Sequence, residues 1–223
     1  MRVLELFSGT KSVGKVTRML GWTAVSLDLK NADININILE WDYKVYPKYY
    51  FDIIWASFPC ETFSMTRQSN IGRVGKDGNL WTRERLVYEM ETIGLPILRK
   101  TEEIVDYFEP KYYFLENPAT GHAKNYIDRP MYILDYCQYA PSWGYRKRTA
   151  IWTNLTGFMP KLCVPNQCKA AYFSQETKKY RHILCTDSGN LHKNRKGTTT
   201  KERYRIPPQL IVELFKLTDL KPK

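Results

Sequence analysis

Residues 2–14 read RVLELFSGTKSVG, an apolar run followed by a small polar turn and the start of an amphipathic segment. Residues 3–7 predict a buried strand, Ser8-Gly9 a turn, and residues 12–20 a helix. A glycine there lets the backbone approach a ligand, and the helix start offers free N–H donors. Because the three-glycine spacing of dinucleotide-binding turns is absent, a plain strand-to-helix connection remains the alternative.

The alternation of strands and helices continues beyond this unit. Apolar runs predict strands at residues 23–27, 51–56, 111–115, 131–139 and 148–152. Residues 82–107 have helical periodicity, with Pro96 expected to kink or split the helix. Residues 57–79 are polar and longer than an ordinary connection, which is typical of a functional loop. The pattern predicts an α/β fold with a mostly parallel sheet covered on both faces.

Polar residues cluster where three of these strands end. Asp28 ends the second strand, Pro59-Cys60 follows residues 51–56, and Glu116-Asn117 follows residues 111–115. Ligands of such sheets bind beyond the carboxyl ends of the strands, so we expect these residues to share one site.

The composition limits the class of protein. The 223 residues carry 34 Lys and Arg against 23 Asp and Glu, a net charge of +11 concentrated in residues 144–205, which favours a nucleic-acid partner over a merely basic surface. Five cysteines, an odd number, indicate a reduced compartment. No apolar run is long enough to span a membrane, and residues 2–6 do not resemble a secretory signal. We expect an intracellular, monomeric protein without a membrane partner.

The regular pattern is lost after residue 155. Residues 155–201 are rich in Lys, Thr, Asn and Cys and predict a small irregular lobe, whereas residues 207–217 predict a final amphipathic helix. We divide the chain into a catalytic domain at 1–154, a small basic lobe at 155–203, and a C-terminal helix within 204–223 that returns to the catalytic domain.

Cys60 is the strongest candidate for chemistry. It follows a proline at the end of a buried strand and opens the long polar loop, whereas a buried cysteine is usually only a small apolar residue. A thiolate presented in this way suits covalent catalysis. Glu116, beside Asn117, is placed to act as an acid that hydrogen-bonds a substrate ring.

Together these motifs resemble the DNA cytosine-C5 methyltransferase family, and specifically its short phage and large-virus members. The resemblance rests on Phe7-Ser8-Gly9, Phe58-Pro59-Cys60 with Phe63-Ser64, Glu116-Asn117, and Arg146-x-Arg148 in this order, and it covers residues 1 to about 155 and the last helix. It implies a class I S-adenosylmethionine-dependent methyltransferase fold, with a Rossmann-like mixed sheet and helices on both faces.

The resemblance also implies roles for individual residues. Cys60 would add to C6 of a cytosine flipped out of double-stranded DNA, Glu116 would hold N3, and Arg148 would contact O2 with Arg146 nearby. Asn117, beside Glu116, is counted with these catalytic residues. S-adenosylmethionine would bind a further set, namely Phe7, Ser8, Gly9, Thr10, Asp28, Asn37, Ile38 and Pro59. Ser64, Lys193 and Arg195 would contact the DNA substrate.

The chain departs from the family pattern at three points. Lys11 stands where relatives often carry glycine, and the segment from Tyr204 lacks the usual Gly-Asn-Ser. The acidic contact to adenine is replaced by Asn37, with Asp33 and Asp42 as alternatives.

Cysteine and histidine residues in the small lobe could serve as metal ligands. We assign no metal, although the spacing of Cys163, Cys168, His182 and Cys185, with His192 beyond, would also suit zinc. Lys178, Lys179 and Arg181 would suit phosphate contacts, or form a solvated basic loop. For the chain as a whole, the alternatives are an RNA (tRNA) cytosine methyltransferase, a catalytically weak DNA-binding relative, and a dinucleotide-dependent oxidoreductase.

Overall fold

The computed structural model describes residues 1–186 and 196–219. Its strands are β1 Arg2–Leu6, β2 Thr23–Asp28, β3 Ile34–Asn35, β4 Ile53–Ala56, β5 Tyr112–Pro118, β6 Met131–Asp135, β7 Arg148–Thr153, β8 Ala171–Ser174 and β9 Lys179–His182. Its α-helices are α1 Ser12–Met19, α2 Arg83–Glu89, α3 Leu95–Phe108, α4 Thr200–Tyr204 and α5 Pro208–Asp219.

Seven of the strands form one mixed sheet in the order β3-β2-β1-β4-β5-β7-β6. The strands from β3 to β5 in this order pair in parallel, whereas β7 runs antiparallel to both of its neighbours. The predicted mixed α/β sheet is confirmed. The parallel strands bring the ends of β1, β2, β4 and β5 to the same edge.

Helices cover both faces of this sheet. α1 and α5 pack on one face, where Val13, Val16 and Leu214 join the apolar cluster under the sheet. α3 packs on the other face through Leu98 and Phe108. No helix in residues 1–186 and 196–219 has the length and apolarity needed to cross a membrane.

The predicted helix over residues 82–107 is split, as Pro96 led us to expect. α2 ends at Glu89, one π-helical turn covers Met90–Gly94, and α3 begins at Leu95 with Pro96 in its first turn. Proline lacks an N–H and fits only the start of a new helix, so the break falls just before it.

Two strand predictions need correction, and one strand of the seven-stranded sheet was not predicted. The strand predicted over residues 131–139 ends at Asp135, because a 3-10 turn begins at Tyr136. β5 continues to Pro118, so Glu116 and Asn117 lie within the strand and not beyond it. The two-residue β3 was not predicted, since two residues are too few to show any periodicity.

Residues 155–186 are more regular than the sequence indicated. β8 and β9 form an antiparallel hairpin in which Ala171 pairs with His182. The backbone N–H of Leu184 donates to the Gly144 carbonyl at 2.7 Å, which ties the end of the hairpin to the segment before β7.

A buried carboxylate joins β1 to α1. Glu5 is 3% exposed and accepts the N–H groups of Val13 at 3.0 Å and Gly14 at 2.8 Å. Lys11, at the N-cap of α1, makes no side-chain capping hydrogen bond, so Glu5 satisfies N–H groups that the helix start leaves unpaired. Burial raises the pKa of Glu5 to about 7, although the two N–H donors act in the opposite direction and lower it.

Gly14 leaves space for this carboxylate. A Cβ at position 14 would lie 2.9 Å from Glu5 Oε2, a distance that van der Waals contact does not permit. The glycine is therefore required by the close approach of β1 to α1.

We expect Gly14→Ala to destabilise the protein by about 1–3 kcal/mol, because Glu5 must move away from the helix start. The sign of the stability change is informative, because Gly→Ala inside a helix otherwise stabilises a protein by about 1 kcal/mol. Urea unfolding followed by circular dichroism measures the change. Lys15→Ala, at the neighbouring exposed position, is the control and should be nearly neutral; a Gly14→Ala protein as stable as this control would contradict the role of Gly14.

Candidate active site

A cavity of about 340 Å³ opens at the carboxyl ends of β1, β2, β4 and β5. Its walls come from sequence segments far apart in the chain, including the turn after β1, the end of β2 and the loop after β4. Its lining residues are Phe7, Gly9, Leu27, Asp28, Leu29, Ile36, Asn37, Ile38, Ser57, Phe58, Pro59, Cys60, Glu61, Ile97, Glu116, Asn117, Pro118, Lys147 and Tyr204. The predicted meeting of Asp28, Cys60 and Glu116 in one site is thus present in the structure.

The turn after β1 forms one wall and is held by Asp28. The Gly9 N–H donates to Asp28 Oδ2 at 2.8 Å, and the Leu29 N–H donates to Oδ1 at 2.7 Å. Phe7, Gly9 and Lys11 all have positive φ, of 56°, 43° and 55°. Only glycine adopts such angles without steric cost, so the turn is a tight, constrained one.

Six of the eight predicted cofactor residues line the cavity, namely Phe7, Gly9, Asp28, Asn37, Ile38 and Pro59. Ser8 and Thr10 are not among its described lining residues. Ser8 is 5% exposed, and its hydroxyl finds no hydrogen-bond partner within the described chain. The Thr10 hydroxyl is paired with that of Ser12 at 2.8 Å.

The loop that carries Cys60 is fixed at both sides. The Asn117 side-chain amide donates to the Phe58 carbonyl at 2.9 Å, which ties the loop to β5. Beyond Cys60, Thr62 lies against Gly94, where an added Cβ would come within 2.1 Å of the Thr62 hydroxyl. Asn117, predicted beside the candidate catalytic acid, therefore holds the loop that carries Cys60.

Glu116 is buried and faces two donors that the sequence analysis missed. Its Oε1 accepts the hydroxyl of Tyr136 at 3.0 Å and the ammonium of Lys147 at 3.1 Å. Lys147 stands between Arg146 and Arg148, and neighbours in an extended chain point to opposite sides. Strand alternation was the available signal that Lys147, and not the arginines, faces the cavity.

Arg146 and Arg148 are both paired with a carboxylate that the sequence analysis did not single out. Both bind the fully buried Asp135, with Arg146 Nε at 2.8 Å from Oδ1 and Arg148 Nη2 at 3.1 Å from Oδ2. Neither is among the described residues that line the cavity. Desolvation favours pairing of a buried carboxylate with the nearest cations, and Asp135 lies directly across the strand pair from Arg148.

The thiol of Cys60 is governed by its surroundings. Burial raises its pKa above the ordinary value, the charge of Lys147 lowers it, and the carboxylates of Glu116 and Glu61 raise it further. Lys147 is thus the group whose charge favours the reactive thiolate.

The C-terminal segment closes one side of the cavity. The Tyr204 hydroxyl donates to Glu61 Oε1 at 2.7 Å, next to Cys60, and burial raises the pKa of Tyr204 to about 12. The Ile206 N–H donates to the Ser12 hydroxyl at 3.1 Å. A contact between this segment and the cavity therefore exists without the Gly-Asn-Ser sequence.

Of the predicted DNA-contacting residues, the structure describes Ser64, which is not among the residues that line this cavity. The Ser64 hydroxyl is paired with that of Thr66 at 2.7 Å, and Ser64 lines a second cavity with Arg67, Arg83 and His122. Lys193 and Arg195 lie outside the described residues, as does His192.

One curated protein is strongly similar in sequence. The "Probable DNA (cytosine-5)-methyltransferase" of Frog virus 3 (isolate Goorha) is 47% identical over 221 residues, which are 97% of this chain and 100% of that protein. No family model matches the chain.

Two of the solved structures that align with the chain are methyltransferases. The Entamoeba histolytica methyltransferase EhMeth aligns over 100% of this chain and 99% of its own, with a TM-score of 0.51 and 11% identity. The S. pombe Dnmt2 methyltransferase gives a TM-score of 0.41 and 13% identity over 72% of this chain. The chain spans about half, 52%, of the length of that protein.

We expect Lys147→Met to slow alkylation of Cys60 by iodoacetamide several-fold at pH 8. Loss of the positive charge raises the thiol pKa further, and a thiol with a higher pKa has less thiolate at a given pH. The midpoint of the rate-against-pH profile should therefore move to higher pH. Mass spectrometry of the Cys60 peptide measures the rate.

Lys147→Arg is the matched control, because it keeps the charge and should keep the midpoint near that of the wild type. A Lys147→Met protein with an unchanged midpoint would show that Lys147 does not set the pKa of Cys60.

Proposed function

The chain belongs to the DNA (cytosine-5)-methyltransferase family, and from that membership we propose that it methylates C5 of a flipped cytosine through a covalent adduct with Cys60. The observation that supports the mechanism is that Cys60, Glu116 and Lys147 line one cavity, which Asp28 also lines. A nucleophile, a ring-binding carboxylate and a cofactor wall are the parts that this reaction requires.

Cys60 would begin the reaction. C5 of a pyrimidine is a poor nucleophile until another group adds at C6. The Cys60 thiolate would form a bond to C6, and the displaced π electrons would become available at C5. Because the thiolate must approach the face of the ring, which stacking covers in a duplex, the cytosine must first leave the helix.

Glu116 would hold the ring during this addition. A proton shared between its carboxyl group and N3 would stabilise the electron density that the thiolate pushes into the ring. Lys147 and Tyr136 both bind Oε1 and so fix the orientation of the carboxyl group. After C5 is methylated, loss of its proton returns an electron pair to the ring and expels the Cys60 thiolate.

S-adenosylmethionine, which would supply the electrophilic methyl group, is the cofactor that we propose for this cavity. The cavity volume of about 340 Å³ lies in the range of small-molecule sites. Asp28 is fixed at the end of β2 by two backbone N–H groups, and a carboxylate has further acceptor capacity for ribose hydroxyls. Leu27, Ile38 and Ile97 give the apolar surface that a purine ring requires.

Double-stranded DNA is the substrate we propose, bound by a monomer within a host cell. The net charge of +11 supports a polyanionic partner. In this arrangement Lys147 would supply the positive charge in the cavity that the sequence analysis assigned to Arg148. Arg148, with 40% of its side chain exposed, would act at the rim while bound to Asp135.

Cys60→Ala should abolish methyl transfer while leaving S-adenosylmethionine binding within about two-fold, because the thiol supplies the attacking atom and is not one of the residues that we assign to the cofactor. Tritium transfer to duplex DNA measures turnover, and calorimetry measures binding. DNA containing 5-fluorocytosine should trap the wild type covalently, because fluorine at C5 cannot leave as a proton does.

The Glu116→Gln protein should form the covalent complex with 5-fluorocytosine DNA more slowly than the wild type. Its turnover should fall by about a hundredfold or more, since the amide cannot share a proton with N3. Cys185→Ala is the control for both variants and should remain active. Methylation by the Cys60→Ala protein would overturn the mechanism, and undiminished turnover by Glu116→Gln would remove Glu116 from it.

The nucleic acid can be tested separately. With tritiated cofactor and either duplex DNA or transfer RNA, we expect label in the DNA, and bisulfite sequencing should locate it at cytosines. Label confined to the RNA would show that RNA is the substrate, and it would leave the chemistry proposed for Cys60 unchanged.

A further inference from the structure

We propose that Cys137, Cys163, Cys168 and His182 bind one zinc ion, which fastens the β8–β9 hairpin to the catalytic sheet. The three Sγ atoms and a ring nitrogen of His182 all lie within 4.8 Å of one another, and all four residues are buried. A Cys₃His set is one of the standard ligand sets of structural zinc.

The distances agree with tetrahedral coordination. His182 Nε2 lies 3.5 Å from Cys163 Sγ and 3.4 Å from Cys168 Sγ. In a tetrahedral site with Zn–S of about 2.3 Å and Zn–N of about 2.0 Å, a sulfur and a nitrogen ligand lie about 3.5 Å apart. One nitrogen at this distance from two sulfurs is the geometry of ligands around a common ion.

The ligand set differs from the one that the spacing suggested. Cys137 takes the position that the sequence analysis left open to Cys185. The Cys185 thiol contacts the Lys196 carbonyl at 3.6 Å, and its backbone forms a bridge with Gly197. Cys137 follows β6 in the catalytic part of the chain, so its 26-residue separation from Cys163 hid it from a search for short ligand spacings.

A side-chain amide lies against two of the sulfurs. The Gln138 side-chain amide lies 3.8 Å from Cys137 Sγ and 3.6 Å from Cys168 Sγ, so it can donate to both. Donors of this kind orient metal ligands and stabilise their charge. The other members of the cluster, Ala170 and Ala171, are small and carry no charge, so they leave the sulfurs and the imidazole facing one another.

The position of the site indicates its role. Cys137 lies in the 3-10 turn after β6, Cys163 and Cys168 flank a second 3-10 turn, and His182 ends β9. Four protein ligands leave no open coordination position, which is typical of structural and not catalytic zinc.

The site is also linked to the arginines near the active site. The Cys163 N–H donates to Asp135 Oδ2 at 2.8 Å, and Asp135 binds Arg146 and Arg148. The ion would thus hold together the hairpin, β6 and the start of β7, and its loss should loosen all three.

The test is the metal content of the untagged wild-type protein, purified without chelators from zinc-supplemented cells. Inductively coupled plasma mass spectrometry should give about one zinc per chain. X-ray absorption at the zinc edge should show three sulfurs at about 2.3 Å and one nitrogen at about 2.0 Å. Zinc-free wild-type protein that also fails to bind added Co²⁺ in tetrahedral thiolate form, as judged by its absorption spectrum, would overturn the proposal.

Variants identify the ligands. Cys137→Ala, Cys168→Ala and His182→Ala should each lose zinc or fall to weak, chelator-labile binding, whereas Cys185→Ala should retain it. A Cys137→Ala protein that keeps its zinc, or a Cys185→Ala protein that loses it, would refute this ligand set. Because wild-type metal content is measured directly, the result does not depend on variants that fold or on methyltransferase activity.

Discussion

The buried carboxylate of Glu5 is the interaction on which the catalytic half of the structure depends. It accepts two N–H groups from the start of α1, and so fixes the angle between β1 and that helix. The turn between the two elements forms one wall of the cavity, and Asp28 holds that turn from the neighbouring strand. A carboxylate placed here costs solvation energy, as the raised pKa of Glu5 shows, and the helix N–H groups offset part of that cost.

A second constraint organises the other side of the cavity. Two buried carboxylates, Glu116 and Asp135, lie near the run Arg146-Lys147-Arg148, and both are paired with it. Because successive side chains alternate, the two arginines bind Asp135 while Lys147 binds Glu116. Of these three consecutive cations, Lys147 therefore faces the cavity, whereas Arg146 and Arg148 bind Asp135.

Asp135 also contacts the segment that follows the seven-stranded sheet in the chain. Asp135 ends β6, accepts the N–H of Cys163, and is followed after one residue by Cys137. The segment before the β8–β9 hairpin thus contacts the sheet at the same carboxylate that binds the two arginines. A strand pair as short as β8–β9 has little apolar surface of its own, so attachment to the sheet is what stabilises it.

The sequence by itself determined the alternation of strands and helices, the break at Pro96, and the joint location of Asp28, Cys60 and Glu116. These features follow from periodicity and from a rule of sheet geometry, both of which act over short stretches of chain. Only the tertiary structure decided the partners: Glu5 with Gly14, Lys147 with Glu116, Asn117 with the Cys60 loop, and Cys137 with His182. Each of these pairs joins residues that are separated in the sequence, and it forms only if a side chain points towards its partner. That direction is set by packing and by the need to satisfy buried charge, which local pattern does not record.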